Sequence, residues 1–170
     1  MKKGITSKTY FFTLTIIYFA QAMMLVFVAG AILFLTMTNR VENTSNELET
    51  IFQFIVPLAT IAGLSAAQFI YKMQIGQLGS SADLKEKVRK FQSIVIIRSA
   101  CLEIPGILSG VATLLTGQIY FLAGTFLMVI ILIILRPTAS SLSEDLNLSP
   151  SERSLIQDPN SVIMEAPNPE

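Results

Sequence analysis

The 170-residue sequence predicts an all-α integral membrane protein, a four-helix bundle with both termini on the cytoplasmic side. Three observations carry this expectation. Hydrophobic residues make up 52% of the chain and charged residues 14%, with a mean hydropathy of +0.60. The apolar residues come in long unbroken runs, which is the pattern of membrane spans and not of half-buried soluble helices. The positive charges are also sorted. Of the 12 Lys and Arg residues, Arg98 lies in an apolar run and Arg40 in the first connection; the others occupy the N-terminus, the second connection and the tail. Positive residues stay on the cytoplasmic side, so four crossings return both ends to the cytosol.

Residues 1–137 form the expected transmembrane domain. After Lys2, Lys3 and Lys8, the first span covers about residues 10–37, too long for the apolar core of a signal peptide. Its strongly polar interior residue is Gln21, with Tyr18 on the same face. The connection that follows is polar and acidic, and Thr44 to Glu47 fits a capping box that starts the second helix. The second span, about residues 51–73, contains Pro57, which predicts a kink. Ala59, Gly63 and Ala67 recur every four residues along it and form a seam where another backbone can come close, while Gln68 offers a hydrogen bond between helices.

Gly76, Gly79, Ser80 and Ser81 end that helix before the basic run Lys85, Lys87, Arg89 and Lys90. Ser80 to Asp83 repeats the capping pattern, so a helix is expected to start in the cytosol and continue into the third span, about residues 91–116. A tight turn at Gly117 leads to the fourth, about residues 119–135, whose uniform apolarity predicts the helix facing most lipid. The tail, residues 138–170, is polar. Ser149, Pro150 and Glu152 predict one short helix over Pro150 to Gln157, followed by a disordered end.

The composition excludes several activities. There is no histidine, which removes the common nucleophile pairs and imidazole metal sites. Cys101 has no second thiol with which to share a metal, so no metal and no cofactor are expected. A net charge of zero gives no attraction to nucleic acid. The partners expected are the lipid bilayer and another membrane protein or a second copy of this chain.

Chemistry concentrates in the third span, which carries Arg98, Cys101, Glu103 and Pro105. A charged side chain at the centre of a membrane helix costs about 2.5–3.5 kcal/mol on insertion scales, so both charges need partners, water or a task. If the helix enters the hydrocarbon at Phe91, Arg98 lies about 10 Å in and Glu103 about 18 Å in. Arginine at that depth snorkels to the headgroups, whereas glutamate near the midplane cannot. Pro105 cannot donate to the carbonyl of Cys101, leaves it free and predicts a kink in the third helix as well. Glu103, Gly106, Gly110, Thr113 and Gly117 fall on one stripe, which is expected to pack on the Ala59, Gly63, Ala67 seam and shelter the acid. Two roles follow for Glu103. As a neutral acid it bonds a carbonyl, Gln21 or Gln68 and holds the bundle in register. Alternatively, it exchanges a proton or binds a cation with the freed carbonyl, while Arg98 tunes its charge.

This carboxylate among small residues, Arg98 to Gly110, is similar to the ion-carrying helix of rotary ATPase proteolipids, and the resemblance implies an ion role for Glu103. The chain departs from that family in the sparse glycines of its first span, in having the carboxylate in the third span and in its orientation. Taken whole, it resembles the small four-span proteins of bacterial inner membranes, which implies that location. The leading expectation is a non-enzymatic accessory or scaffold subunit, or a homo-oligomer, that packs through its small-residue seams. The alternative is an ion- or proton-translocating subunit that uses Glu103.

Overall fold

The computed structural model describes residues 4–38, 46–78 and 83–165. It is an all-α bundle to which one small sheet is added. In chain order the elements are β1 (Gly4–Thr6), α1 (Ser7–Met37), α2 (Asn46–Gly76), α3 (Leu84–Thr116), a 3-10 turn (Ile119–Phe121), α4 (Leu122–Ile134), α5 (Ala139–Asp145), α6 (Pro150–Gln157) and β2 (Val162–Glu165). Three helices are long and apolar enough to cross a membrane, and up to four if Ile119–Ile134 and Ala139–Asp145, bent by 79°, count as one span. The first connection's capping box and the Ser80 capping pattern involve residues outside those described. Asp83, in extended conformation, caps α3 and makes no side-chain cap bond.

Helix α3 is the centre of the bundle and packs against α2, α4 and α1. Half of its membrane window is buried, and Leu102, Ser109 and Ala112 are fully enclosed. On α1, one stripe is buried at three- and four-residue spacing: Tyr10, Leu14, Tyr18, Ala22, Leu25, Ala29 and Ile32. The hydroxyls of Tyr10 and Tyr18 donate to the carbonyls of Val88 (2.9 Å) and Val95 (2.7 Å), so α1 runs parallel to α3 with its register pinned. On α4, Thr125 donates to the carbonyl of Gly106 at 2.8 Å, again a side chain bonded to the backbone of α3. These hydroxyls exploit the second lone pair of helix carbonyls, where no water competes.

The helix most open to lipid is α2, not α4. Only a tenth of the α2 membrane window is buried, and Val56, Ala67 and Tyr71 are its buried described side chains. Helix α4 instead wedges between α1 and α3 through Leu122, Thr125, Met128, Val129 and Leu132. Uniform apolarity does not encode which face is covered, because lipid and protein offer such a surface similar surroundings.

The tail is also more structured than one helix and a disordered end. Both α5 and α6 form, and β2 pairs antiparallel with β1, with Gly4 opposite Glu165 and Ile5 opposite Met164. Leu142, Leu148, Ile156 and Ile163 join the main core beside Tyr10, Val88 and Phe91. Apolar residues so unevenly spaced show no local periodicity; they become a core only against the N-terminal end of the bundle. The strand pairing brings the segment before α1 and the segment after α6 to the same end of the bundle.

Glycines on this frame separate tight contacts from open ones. A Cβ on Gly63 would sit 2.9 Å from Pro105 Cγ and 3.1 Å from the Cys101 carbonyl, whereas Gly30 has nothing within 4 Å. Gly63→Ala is therefore expected to lower the thermal midpoint in detergent, an overpacking cost of about 1–3 kcal/mol. Gly30→Ala should leave the midpoint unchanged or raise it, because alanine is the better helix former by about 1 kcal/mol. Equal effects at the two positions would mean that α2 does not pack on α3 at Pro105.

Candidate functional site

The structure places the residues of the third span on different flanks of α3. Pro105 is buried and α3 continues through it to Thr116. The carbonyl that Pro105 leaves without a donor, that of Cys101, is covered by Gly63 of α2. The α2 seam thus meets α3 at Cys101 and Pro105, with Ala67 fully buried and Ala59 half-buried. Gly106 and Gly110 face elsewhere: Leu25 and Met128 lie over Gly106, and Ile32 and Thr125 over Gly110. Thr113 is buried and bonded to the Ser109 carbonyl at 3.2 Å. Gly117 is half-buried. It ends α3 in the left-handed region, φ 71°, with its N–H on the Thr113 carbonyl.

Glu103 is half-buried, and its Oε1 is shielded without a hydrogen-bond partner. It stands two residues before Pro105, about 200° around the helix, so it looks away from the Cys101 carbonyl and Gly63. Its neighbour on that side is α1. Gln21 precedes Leu25 by four residues and Glu103 precedes Gly106 by three, and Leu25 touches the Gly106 position. Gln21, half-buried between Tyr18 and Leu25, lies on that neighbouring helix. Gln21 Oε1 is likewise shielded and without a partner. Two hydrogen-bonding groups thus stand at mid-span with unused capacity. Such groups cost free energy in a dry interior unless a proton, ion or water visits them.

Arg98 occupies the opposite flank, toward α2. Its guanidinium carbon lies 4.2 Å from the centre of the Tyr71 ring, and its Nε is shielded without a partner. The Tyr71 hydroxyl donates to the Asp145 carboxylate of α5. These groups line a cavity of about 750 Å³ that also reaches Gln68, Lys72, Lys87 and Glu152. Its walls are α2, α3 and the folded-back tail, so it opens at the end of the bundle where the termini meet. Cys101 is half-buried and is not among the lining residues. Among the described residues, no group of three or more His, Cys, Asp or Glu is placed to hold a metal ion.

Tyr71, Asp145, Lys87 and Glu152 carry no individual signal in the sequence. The sequence marks Lys87 only as part of a basic run and Glu152 only as a capping partner. What joins them is a fold-back across more than sixty positions: Lys87 Nζ meets Glu152 Oε1 at 2.9 Å, with the lysine side chain 7% exposed. The Ser149 N–H, followed by the Lys87 ammonium, holds the Glu152 carboxyl below the ordinary carboxylate value of 4.5. A second cluster lies at the far end of the bundle, where Glu49 accepts from Gln118 Nε2 (3.0 Å) and the Tyr120 hydroxyl (3.1 Å).

Because its folded value is lowered, Glu152 contributes tail docking that is complete above pH 4.5 and is lost as pH falls through that lowered value. Glu152→Gln is expected to speed amide hydrogen exchange in α6 at neutral pH and to shrink the loss of thermal midpoint on acidification below 4.5. Unchanged exchange would show that apolar contacts alone hold the tail.

No protein-family model, no curated protein and no solved structure matches this chain, so its role is argued from its own geometry.

Proposed function

We propose that this chain is a four-crossing inner-membrane protein, with both ends in the cytosol, that moves a proton or small cation by way of Glu103. The observation that carries the reading is Glu103 Oε1, shielded and unpartnered at mid-span, as is Gln21 Oε1 on α1. An unpartnered oxygen at that position has acceptor capacity to spare for a proton or a small cation.

The arrangement around it supports transport. The polar cavity penetrates from the end that holds the termini as far as Gln68 and Arg98. Arg98 is five residues from Glu103, about 7.5 Å along the helix axis. Water filling the cavity would bring protons to the level of Arg98, from which Glu103 lies further along α3 and on its other flank. Pairing of β1 with β2 supports an even number of passages. The run Ile119–Ile134 spans about 24 Å against a hydrocarbon core of roughly 30 Å, a mismatch that local thinning accommodates.

The rival role is an accessory or scaffold subunit, or a homo-oligomer, that docks through small residues. The seams it would use are spent inside the chain, Gly63 on Pro105 and Gly106 on Leu25 and Met128. What α2 turns outward is large and apolar, Phe54, Leu58, Ile61 and Phe69, and suits acyl chains. The transport reading assigns no covalent chemistry to the protein.

Reconstitution into liposomes with an imposed potassium diffusion potential tests the reading. Wild type is expected to collapse the potential with uptake of protons or of the tested cation. Glu103→Gln should fall to the level of empty liposomes, and Glu103→Asp should retain part of the flux. Carbodiimide should modify Glu103, and the cargo should protect it. Equal flux through wild type and Glu103→Gln, with an unreactive carboxyl, would remove the proposal.

A further inference from the structure

The cavity holds more positive charge than its walls consume. Lys72, Lys87 and Arg98 line it together with Asp145 and Glu152, three cations against two acids. Lys87 is committed to Glu152 at 2.9 Å, and Glu152 also accepts the Ser149 N–H at 2.9 Å. Asp145 is occupied by the Tyr71 hydroxyl. The Tyr71 hydroxyl is neutral and leaves the Asp145 charge in place, so Lys72 and Arg98 face one remaining carboxylate and the lining keeps one net positive charge. Lys72 is exposed and has no acidic partner among the described residues, and Arg98 has a shielded, unbonded Nε.

The posture of Arg98 suits one kind of ligand. With its guanidinium carbon 4.2 Å from the centre of the Tyr71 ring, Arg98 is held against that ring before anything binds, so less side-chain freedom remains to be lost. A planar fork of N–H donors matches the tetrahedral oxygens of a phosphate, and a nearby ammonium adds a point charge. The cavity, about 750 Å³, is within the size range of small-molecule sites and exceeds what bare phosphate fills.

We propose that this cavity is a binding site for a phosphate ester, held by the Arg98 guanidinium and the Lys72 ammonium, with the α5–α6 tail as its outer wall. The site uses the same cavity and Arg98 as the proposed proton entry, but ligand binding here does not require Glu103, so the two readings are tested apart. Its ligand chemistry has two sources, the phosphodiester of a lipid headgroup at the cytosolic interface and a soluble phosphate compound. Basic pockets between membrane helices on the cytosolic side suit the first, and opening at the end of the bundle suits the second.

Purified full-length protein in a phosphate-free mild detergent is titrated with inorganic phosphate, followed by thermal midpoint, with chloride as the ionic-strength control. In parallel, native mass spectrometry records retention of short-chain phosphatidylglycerol and of a neutral diacylglycerol. Stabilisation by phosphate with no preferential lipid retention assigns the soluble source. Retention of phosphatidylglycerol but not diacylglycerol, with inert phosphate, assigns the lipid. In either arm Lys72→Gln, at an exposed position, is expected to raise the half-saturating concentration about tenfold, and Arg98→Gln by at least as much. Arg98→Lys keeps the charge but loses the fork, and should recover only part of the affinity. Binding of neither probe, or binding that Lys72→Gln and Arg98→Lys leave unchanged, overturns the site.

Discussion

The bundle depends on how the backbone of α3 is satisfied where water is absent. Each unsatisfied polar group in hydrocarbon costs several kcal/mol, so helices in a membrane are placed as much by carbonyls and hydroxyls as by volume. Each neighbour of α3 meets one of its carbonyls. Tyr10 and Tyr18 bring α1 to Val88 and Val95, Thr125 brings α4 to Gly106, and Gly63 brings α2 against the carbonyl that Pro105 deprives of its donor. Remove one of these and a helix loses its register, because the apolar surfaces around it slide with little preference. Against this economy, Glu103 Oε1, Gln21 Oε1 and Arg98 Nε are shielded atoms left without a hydrogen-bond partner.

The same end of the molecule collects its charged chemistry because the tail returns to it. Helix α5 places Asp145 beside Tyr71, α6 places Glu152 on Lys87, and β2 zips onto β1 at the N-terminus. Without that return, Lys87 would lie in open solvent and Arg98 would reach for headgroups. With it, a polar cavity is walled off above a proline-containing helix. The tail is tied to this end of the bundle through a few bonds, Tyr71 to Asp145 and Lys87 to Glu152.

Much of this was legible in the sequence, and the limits are physical. Unbroken apolar runs mark α1, α2 and α3, Gly117 marks the end of α3 by its left-handed conformation, and Ser149, Pro150 and Glu152 bracket α6 by reciprocal capping. Arg98 and Glu103 are conspicuous because charge is expensive in hydrocarbon. Their surroundings were not legible. Which face of an apolar helix meets protein depends on close approaches such as Gly63 to Pro105 and Gly124 to Ser109, and these are set by three-dimensional fit. The stripe of small residues on α3 was readable as a seam, but its partners, Leu25, Met128 and Ile32, are large residues of α1 and α4. The tail strand was hidden because four residues pair only with a segment more than 150 positions away.

The central claim is that Glu103, though shielded from bulk water, stays open to protons. Infrared difference spectroscopy on the reconstituted protein measures this directly through the carboxyl stretching bands, recorded while H₂O is exchanged for D₂O. The account predicts a carboxyl band that shifts with the solvent promptly and disappears in Glu103→Gln. A Glu103 band that stays unshifted long after the solvent has changed would show a sealed structural acid, and would contradict the account.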